Sequence, residues 1–310
     1  MTDDFRRFLG EHPGYALLHD KLLRSRRADR AGRLLASSAE LVFRAYGETL
    51  GPVADEICAI LESDYPSDYV ERYLDRVAAL NVLQRKFDQE PCARNLGDRT
   101  AKVETEDYNL GLLLSIVLTP HRFAIMEHLE WFLRAQATRL AHGRLAAIGI
   151  GSGYEVLRAA RILTRWDIEG YDLDEAARAR ALRLLASQRI GSGVHLGTHF
   201  PLEHPEPMLM GRYDAIVMCE LCEHLPEPQK ALLNVGGYLR ADAQAFVTMA
   251  INIAQEDHVF LYSTVDECRA QLEESALRVA NEWLAPQHLF GQSQDRWRGN
   301  YIAIVSRGGN

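Results

Sequence analysis

The sequence predicts an α/β protein in two parts. An all-helical segment covers residues 1–142, and an open sheet of parallel strands wrapped by helices covers 143–310. Three observations carry this prediction. Apolar residues recur three and four apart as far as about Leu140. From Gly143 onward, short apolar runs alternate with amphipathic stretches of about a dozen residues. A glycine-rich turn stands where the first of those runs gives way to a helix. The chain has 310 residues, enough for two ordinary domains, and its 47% hydrophobic and 25% charged residues are the balance of a globular protein.

In the first half the helical spacing shows in Leu34, Leu35, Leu41, Val42 and Tyr46, and again in Tyr69, Tyr73, Val77, Leu80 and Leu83. Pro52, Pro66, Pro91 and Pro120 punctuate the segments where helices begin or end. Residues 89–105 read as a polar loop, and a long helix is predicted from Pro120 to Leu140. In the second half, strands are predicted at 145–150, 168–173, 194–196, 215–219, 245–250 and 301–305, with helices starting near Glu155, Asp174, Pro228 and Val265. Strands alternating with helices build βαβ units and hence a parallel sheet.

Composition excludes several functions. A formal net charge of −8 argues against a nucleic-acid partner, because neutralising phosphates takes a basic stripe. The nearest candidate, Arg24, Arg26, Arg27, Arg30 and Arg33, reads as a solvated helix face among acidic neighbours. Five cysteines, an odd number, do not make a secreted disulfide framework and suit a reducing cytoplasmic location. The start, Met1-Thr2-Asp3-Asp4, lacks the basic flank and apolar stretch of a signal peptide. The apolar run from Leu110 to Leu118 falls well short of the roughly 20 residues of a membrane span, so no membrane role is expected. The sequence does not specify an oligomeric state.

The segment Ala146-Ala147-Ile148-Gly149-Ile150-Gly151-Ser152-Gly153-Tyr154-Glu155 sets a Gly-x-Gly-x-Gly turn between a strand and a helix. So sharp a turn needs backbone freedom, and a ligand can approach the main chain only where Cβ atoms are missing. Asp172 ends the second strand 19 residues after the last glycine. A carboxylate at that distance can accept hydrogen bonds from both ribose hydroxyls, so the expected ligand contains adenosine. An N-cap or turn role explains Asp172 taken alone.

Further along, Tyr213-Asp214-Ala215-Ile216-Val217-Met218-Cys219-Glu220-Leu221-Cys222-Glu223-His224-Leu225-Pro226 resembles the fourth motif of class I, Rossmann-like, S-adenosylmethionine-dependent methyltransferases acting on small molecules. The resemblance spans residues 144–306. It implies that Gly149, Gly151 and Gly153 line the methionine and ribose, that Asp172 holds the ribose and that Leu173 flanks the adenine. It further implies that Thr198 and His199, in Leu196-Gly197-Thr198-His199, form the adenine edge and that Cys219 and Glu220 lie beneath the sulfonium. A nicotinamide dehydrogenase is the rival for the glycine loop, but the glycine spacing and the ending at His224 favour S-adenosylmethionine.

Two positions depart from that family's pattern. Ala147 stands where an acid commonly orients the methionine amine, and Thr198 replaces an Asp that accepts the adenine amino group. A Thr hydroxyl still accepts. Losing a carboxylate beside an amine lowers its pKa, so a neutral, nucleophilic amine is conceivable. That opens a second reading, resemblance to azetidine-2-carboxylate synthases, in which S-adenosylmethionine is itself the substrate of an intramolecular cyclisation. A noncatalytic cofactor-binding protein is a third.

Other candidates are weaker. The Tyr154 ring is placed to face the sulfonium, since aromatic faces attract cations, or to pack at the helix start. In Asn252-Ile253-Ala254-Gln255-Glu256-Asp257-His258, which borders the acceptor pocket in related enzymes, His258 is the candidate general base. His224 is a substrate contact or a loop cap. Tyr108 and Arg122 belong to a segment expected to cover the cofactor and reach the methionine carboxylate or the acceptor. Cys219-x-x-Cys222 lacks the second pair of a zinc site, and no metal is expected.

Overall fold

The computed structural model describes residues 1–25, 31–89, 105–190, 193–287 and 296–308. Arg26, Arg27, Arg30, Pro91 and nearly all of the loop expected at 89–105 lie outside the described residues. Six helices come first: α1 (Asp3–Glu11), α2 (Pro13–Arg24), α3 (Ala31–Asp64), α4 (Tyr69–Gln89), α5 (Thr105–Leu118) and α6 (Pro120–Arg139). Local chemistry sets their ends. The Thr2 hydroxyl accepts the Phe5 N–H, and Asp3 and Asp4 sit in the first turn of α1, where the helix dipole favours negative charge. Pro13 and Pro120 open α2 and α6, at a position whose N–H has no helical partner anyway. α3 bends at Gly47, and α5 meets α6 at 87°.

The seven strands are β1 (Arg144–Ile148), β2 (Asp167–Tyr171), β3 (Val194–Gly197), β4 (Tyr213–Met218), β5 (Leu239–Ile251), β6 (Leu277–Pro286) and β7 (Gly299–Arg307). They form one sheet in the order β3-β2-β1-β4-β5-β7-β6. β1 to β5 run parallel, while β7 is antiparallel to both β5 and β6. Helices α7 (Tyr154–Ile162), α8 (Glu175–Ser187), α9 (Pro228–Tyr238) and α10 (Val265–Glu274) start within a residue of the expected positions. The expected α/β architecture, with helices ahead of the sheet, is what the chain adopts. Two features differ from expectation. β6 was not anticipated, because an edge strand half open to solvent shows no clear apolar period, and the all-parallel sheet is closed by an antiparallel pair.

Strand periodicity splits the core. Leu145, Ala147, Ala215 and Val217 face the helical half, while Ala146, Ile148, Ile216 and Met218 face the opposite side. The first set belongs to a core that runs without a break from Phe5 in α1 to Ile304 in β7. Polar contacts pin the same junction. Gln136 of α6 donates to Gln244 of β5 at 3.0 Å, and Arg139 donates to the Asp214 carbonyl at 2.9 Å. Glu56 of α3 accepts from the Tyr154 hydroxyl at 2.8 Å and from Arg158 at 2.9 Å, and also pairs with Arg161. No described single helix is long and apolar enough to cross a membrane.

Candidate functional site

Because β1 to β4 are parallel, the segments that follow them meet at one edge of the sheet. Strand order reverses there between β1 and β4, and open α/β sheets bind ligands in that crevice. The glycine loop, Asp172, Thr198 and Glu220 all arrive there by topology.

The loop needs its glycines. Gly149, Gly151 and Gly153 have φ of 73°, 45° and 79°, a region costly to residues with a Cβ. Gly149 N–H donates to the Tyr171 carbonyl at 2.8 Å, which locks the loop onto the end of β2. The next residue, Asp172, accepts from Gly151 N–H at 2.9 Å through one carboxylate oxygen and from Asp174 N–H at 2.9 Å through the other. Each oxygen keeps a lone pair, so the carboxylate retains the capacity to take two hydroxyls. Burial pushes the Asp172 pKa up, opposed by these two backbone donors. Asp172 N–H lies 3.3 Å from the Gly197 carbonyl, which brings Thr198 and His199 alongside, both exposed. Leu173 is 81% exposed, an apolar side chain standing open next to Asp172.

The Glu220 backbone has φ of 50°, a strained value for a non-glycine residue. Its surroundings hold it there. Glu220 N–H donates to the Thr248 hydroxyl at 2.8 Å and that hydroxyl returns a bond to the Glu220 carboxylate at 2.9 Å. Asn300 donates to both carboxylate oxygens at 2.7 Å, and Arg122 pairs at 3.2 Å. Strain maintained by this many partners marks a functional position more often than a connecting loop. A cavity of about 100 Å³ opens beside it, lined in part by Tyr73, Arg76, Tyr108, Arg122, Glu220 and Ile253. α5 closes the space from above, and a Cβ added at Gly151 would lie 2.7 Å from Leu112 Cδ1 of that helix.

Tyr108 and Arg122 thus meet Glu220 at one cavity, with the Arg76 guanidinium 5.4 Å from the Tyr108 ring centre. Burial raises the Tyr108 pKa far above that of a free phenol, so its hydroxyl is a proton donor and not a base at neutral pH. The other two catalytic candidates stand elsewhere. Tyr154 is fully buried with its hydroxyl committed to Glu56, which makes it a strut between α7 and α3. His258 is 2% exposed and does not line the cavity. Its Nδ1 contacts the Ile253 carbonyl at 2.9 Å and must carry the proton, since a carbonyl only accepts. Burial, then the neighbouring His224, lowers the His258 pKa well below the usual histidine value, so the ring is neutral around pH 7.

Tyr73 and Arg76 on α4, together with Thr248 and Asn300, entered the site without any sequence signal. They come from three separate elements, α4, β5 and β7, and arrive through the tertiary fold alone. Asp214, which opens the fourth motif, is structural: its carboxylate accepts the Arg144 N–H at 2.9 Å and pairs with Arg240 at 2.7 Å.

Residues 146–245 match the family described as Methyltransferase domain. No curated protein matches the chain. Among solved structures, the chain is similar to the 1,6-didemethyltoxoflavin-N1-methyltransferase of Burkholderia thailandensis, bound to 1,6-didemethyltoxoflavin and S-adenosylhomocysteine. Identity is 15% over 60% of this chain and 79% of that one, with a TM-score of 0.48. It is also similar to the N-methyltransferase NodS from Bradyrhizobium japonicum WM9 in complex with S-adenosylhomocysteine, at 16% identity over 60% and 88% of the two chains and a TM-score of 0.44. A third similar structure is the [4+2]-cyclase SpnF, at 14% identity over 74% and 94%, with a TM-score of 0.47.

Proposed function

We propose that this chain, which carries a methyltransferase domain over residues 146–245, transfers a methyl group from S-adenosylmethionine to a small-molecule acceptor held between α4, α5 and Glu220. One observation carries the reading: Gly151 N–H is bonded to Asp172, so a left-handed glycine loop and a two-lone-pair carboxylate form one unit inside that domain. Asp172 is the ribose acceptor, and Leu173 with Thr198 and His199 takes the adenine. The glycine loop admits the methionine end, and Cys219 and Glu220 lie beneath the sulfonium. The sulfonium supplies an electrophilic carbon. Displacement there needs chiefly alignment, which a rigid cavity wall provides without a strong base. At about 100 Å³ the cavity favours a small acceptor. The four described free cysteines support the cytoplasm as the location.

One observation favours the second reading, intramolecular transfer of the aminocarboxypropyl chain to give azetidine-2-carboxylate and methylthioadenosine. Glu220, a carboxylate lining the cavity, is already engaged by Arg122, Asn300 and Thr248. It has little capacity left to hold an amine protonated. Incubating the purified protein with S-adenosylmethionine alone and analysing the small molecules by mass spectrometry separates the two. Cofactor bound and unconsumed, with S-adenosylhomocysteine formed once an acceptor is added, is the expected result. Methylthioadenosine with a four-membered amino acid would establish cyclisation instead, and no binding at all would overturn both.

A further inference from the structure

Behind the wall that carries Glu220, three side chains converge that neither methyl transfer nor cofactor binding uses. Glu223, His224 and His258 bring one carboxylate oxygen and two ring nitrogens within 4.8 Å of one another. The backbone fixes this meeting, because the Glu223 carbonyl accepts both Val259 N–H and Phe260 N–H at 2.9 Å. α4 steadies the second segment, with Gln84 bonded to the Asn252 carbonyl at 3.1 Å and to Ala254 N–H at 2.9 Å.

The hydrogen bonding around the cluster is directional. His258 Nδ1 donates to the Ile253 carbonyl at 2.9 Å, and His224 Nδ1 donates to the Asp257 carbonyl at 3.1 Å with the Asp257 carboxylate 3.4 Å away. Both rings therefore turn Nε2, with its lone pair, away from these anchors. A histidine whose other nitrogen is held by a carbonyl or carboxylate is the arrangement that surrounds metal-ligating imidazoles. Glu223 is 1% exposed, yet neither of its carboxylate oxygens has a hydrogen-bond partner among the described residues. A desolvated carboxyl with no donor needs either its own proton or a cation.

We propose that Glu223, His224 and His258 bind one divalent transition-metal ion of the zinc type. Two imidazoles and one carboxylate are a recurrent donor set for such ions, and ligand atoms around zinc stand about 3.4 Å apart given bonds of about 2.1 Å. The ligand atoms lie within 4.8 Å of one another, so binding an ion draws them closer to that spacing. Three protein ligands leave a coordination position open, which suits a water molecule. The site stands on its own geometry and does not depend on the identity of the transferred group.

The test is metal binding by tag-free, full-length protein stripped with a chelator and then dialysed against Zn2+, with the metal-to-protein ratio read by mass spectrometry. Co2+ in place of Zn2+ gives an independent visible spectrum of the ligand field. One ion per chain is expected, with His258→Gln and Glu223→Gln each weakening binding by at least about tenfold, and Asp257→Asn by a smaller factor, since His224 keeps its bond to the Asp257 carbonyl and loses only the nearby carboxylate charge. Circular dichroism checks that each variant is folded, and Asp257→Asn leaves the ligands themselves in place. A wild-type protein that retains no ion, or an ion whose affinity folded variants leave unchanged, would overturn the proposal.

Discussion

Replacing Asp172 with Asn removes one acceptor from the proposed adenosine site while conserving shape. In the folded protein the two carboxylate oxygens each take one backbone N–H, from Gly151 and from Asp174, and each has one lone pair left for a ribose hydroxyl. An amide in that place turns one oxygen into a donor. It loses one charge-assisted bond to the ribose and sets an NH2 against a backbone N–H. A hydrogen bond to a charged group contributes about 1.5–3 kcal/mol, so the dissociation constant for S-adenosylmethionine should rise by about 10- to 150-fold. Isothermal titration of wild type and Asp172→Asn against the cofactor and S-adenosylhomocysteine reads this directly, with circular dichroism showing that both are folded. A change of less than about threefold, under 0.7 kcal/mol by the same arithmetic, would refute the placement of the ribose on this residue.

The ionised form of Asp172 is the one that accepts hydroxyls, and burial holds its pKa above the ordinary 3.8. Cofactor affinity in wild type should therefore fall as pH drops through that raised pKa, by about tenfold per pH unit below it, and should stay flat in Asp172→Asn. Gly153→Ala should cost about 2–5 kcal/mol of stability in urea unfolding, since it combines a left-handed φ with a Cβ placed 2.6 Å from Ala181 Cβ. Gly149→Ala, whose Cβ would meet only the flexible tip of Leu221 at 3.1 Å, should cost about 1–2 kcal/mol, and equal losses for the two would contradict the packing argument. Glu56→Gln should destabilise by about 3 kcal/mol, because it strips Arg158 and Tyr154 of a buried partner, with Glu130 left as the second acceptor for Arg158. Tyr108→Phe should raise KM for the acceptor while the dissociation constant of the cofactor stays unchanged, and unaltered turnover constants would remove Tyr108 from the acceptor cavity.

What the sequence made legible was local. The turn from β1 into α7, the acid ending β2 and the chain after β4 are short patterns whose meaning depends on residues a few positions apart. The starts of α8, α9 and α10 are equally local, set by Asp174, Pro228 and Thr264. β6 escaped because most of its residues are exposed or half-buried on both faces of the sheet, so no two-residue apolar period is imposed on it. The role of Tyr154 depended on Glu56, far away on α3, and nothing near position 154 announces that partner. His258 read as a base because its segment borders the acceptor pocket in the enzymes the chain resembles and a free imidazole titrates near neutrality. Its burial and its bond to Ile253 belong to a loop conformation that no periodicity records.

α5 touches both the glycine loop and the cavity. Leu112 lies over Gly151 and also lines the cavity, while Tyr108, one turn earlier, lines the cavity as well. Any shift of this helix on cofactor loading is felt by whatever occupies the neighbouring space. Linkage then requires the converse by the same factor. Acceptor and cofactor should bind as thermodynamically coupled ligands, each changing the dissociation constant of the other by one factor set by a single helix.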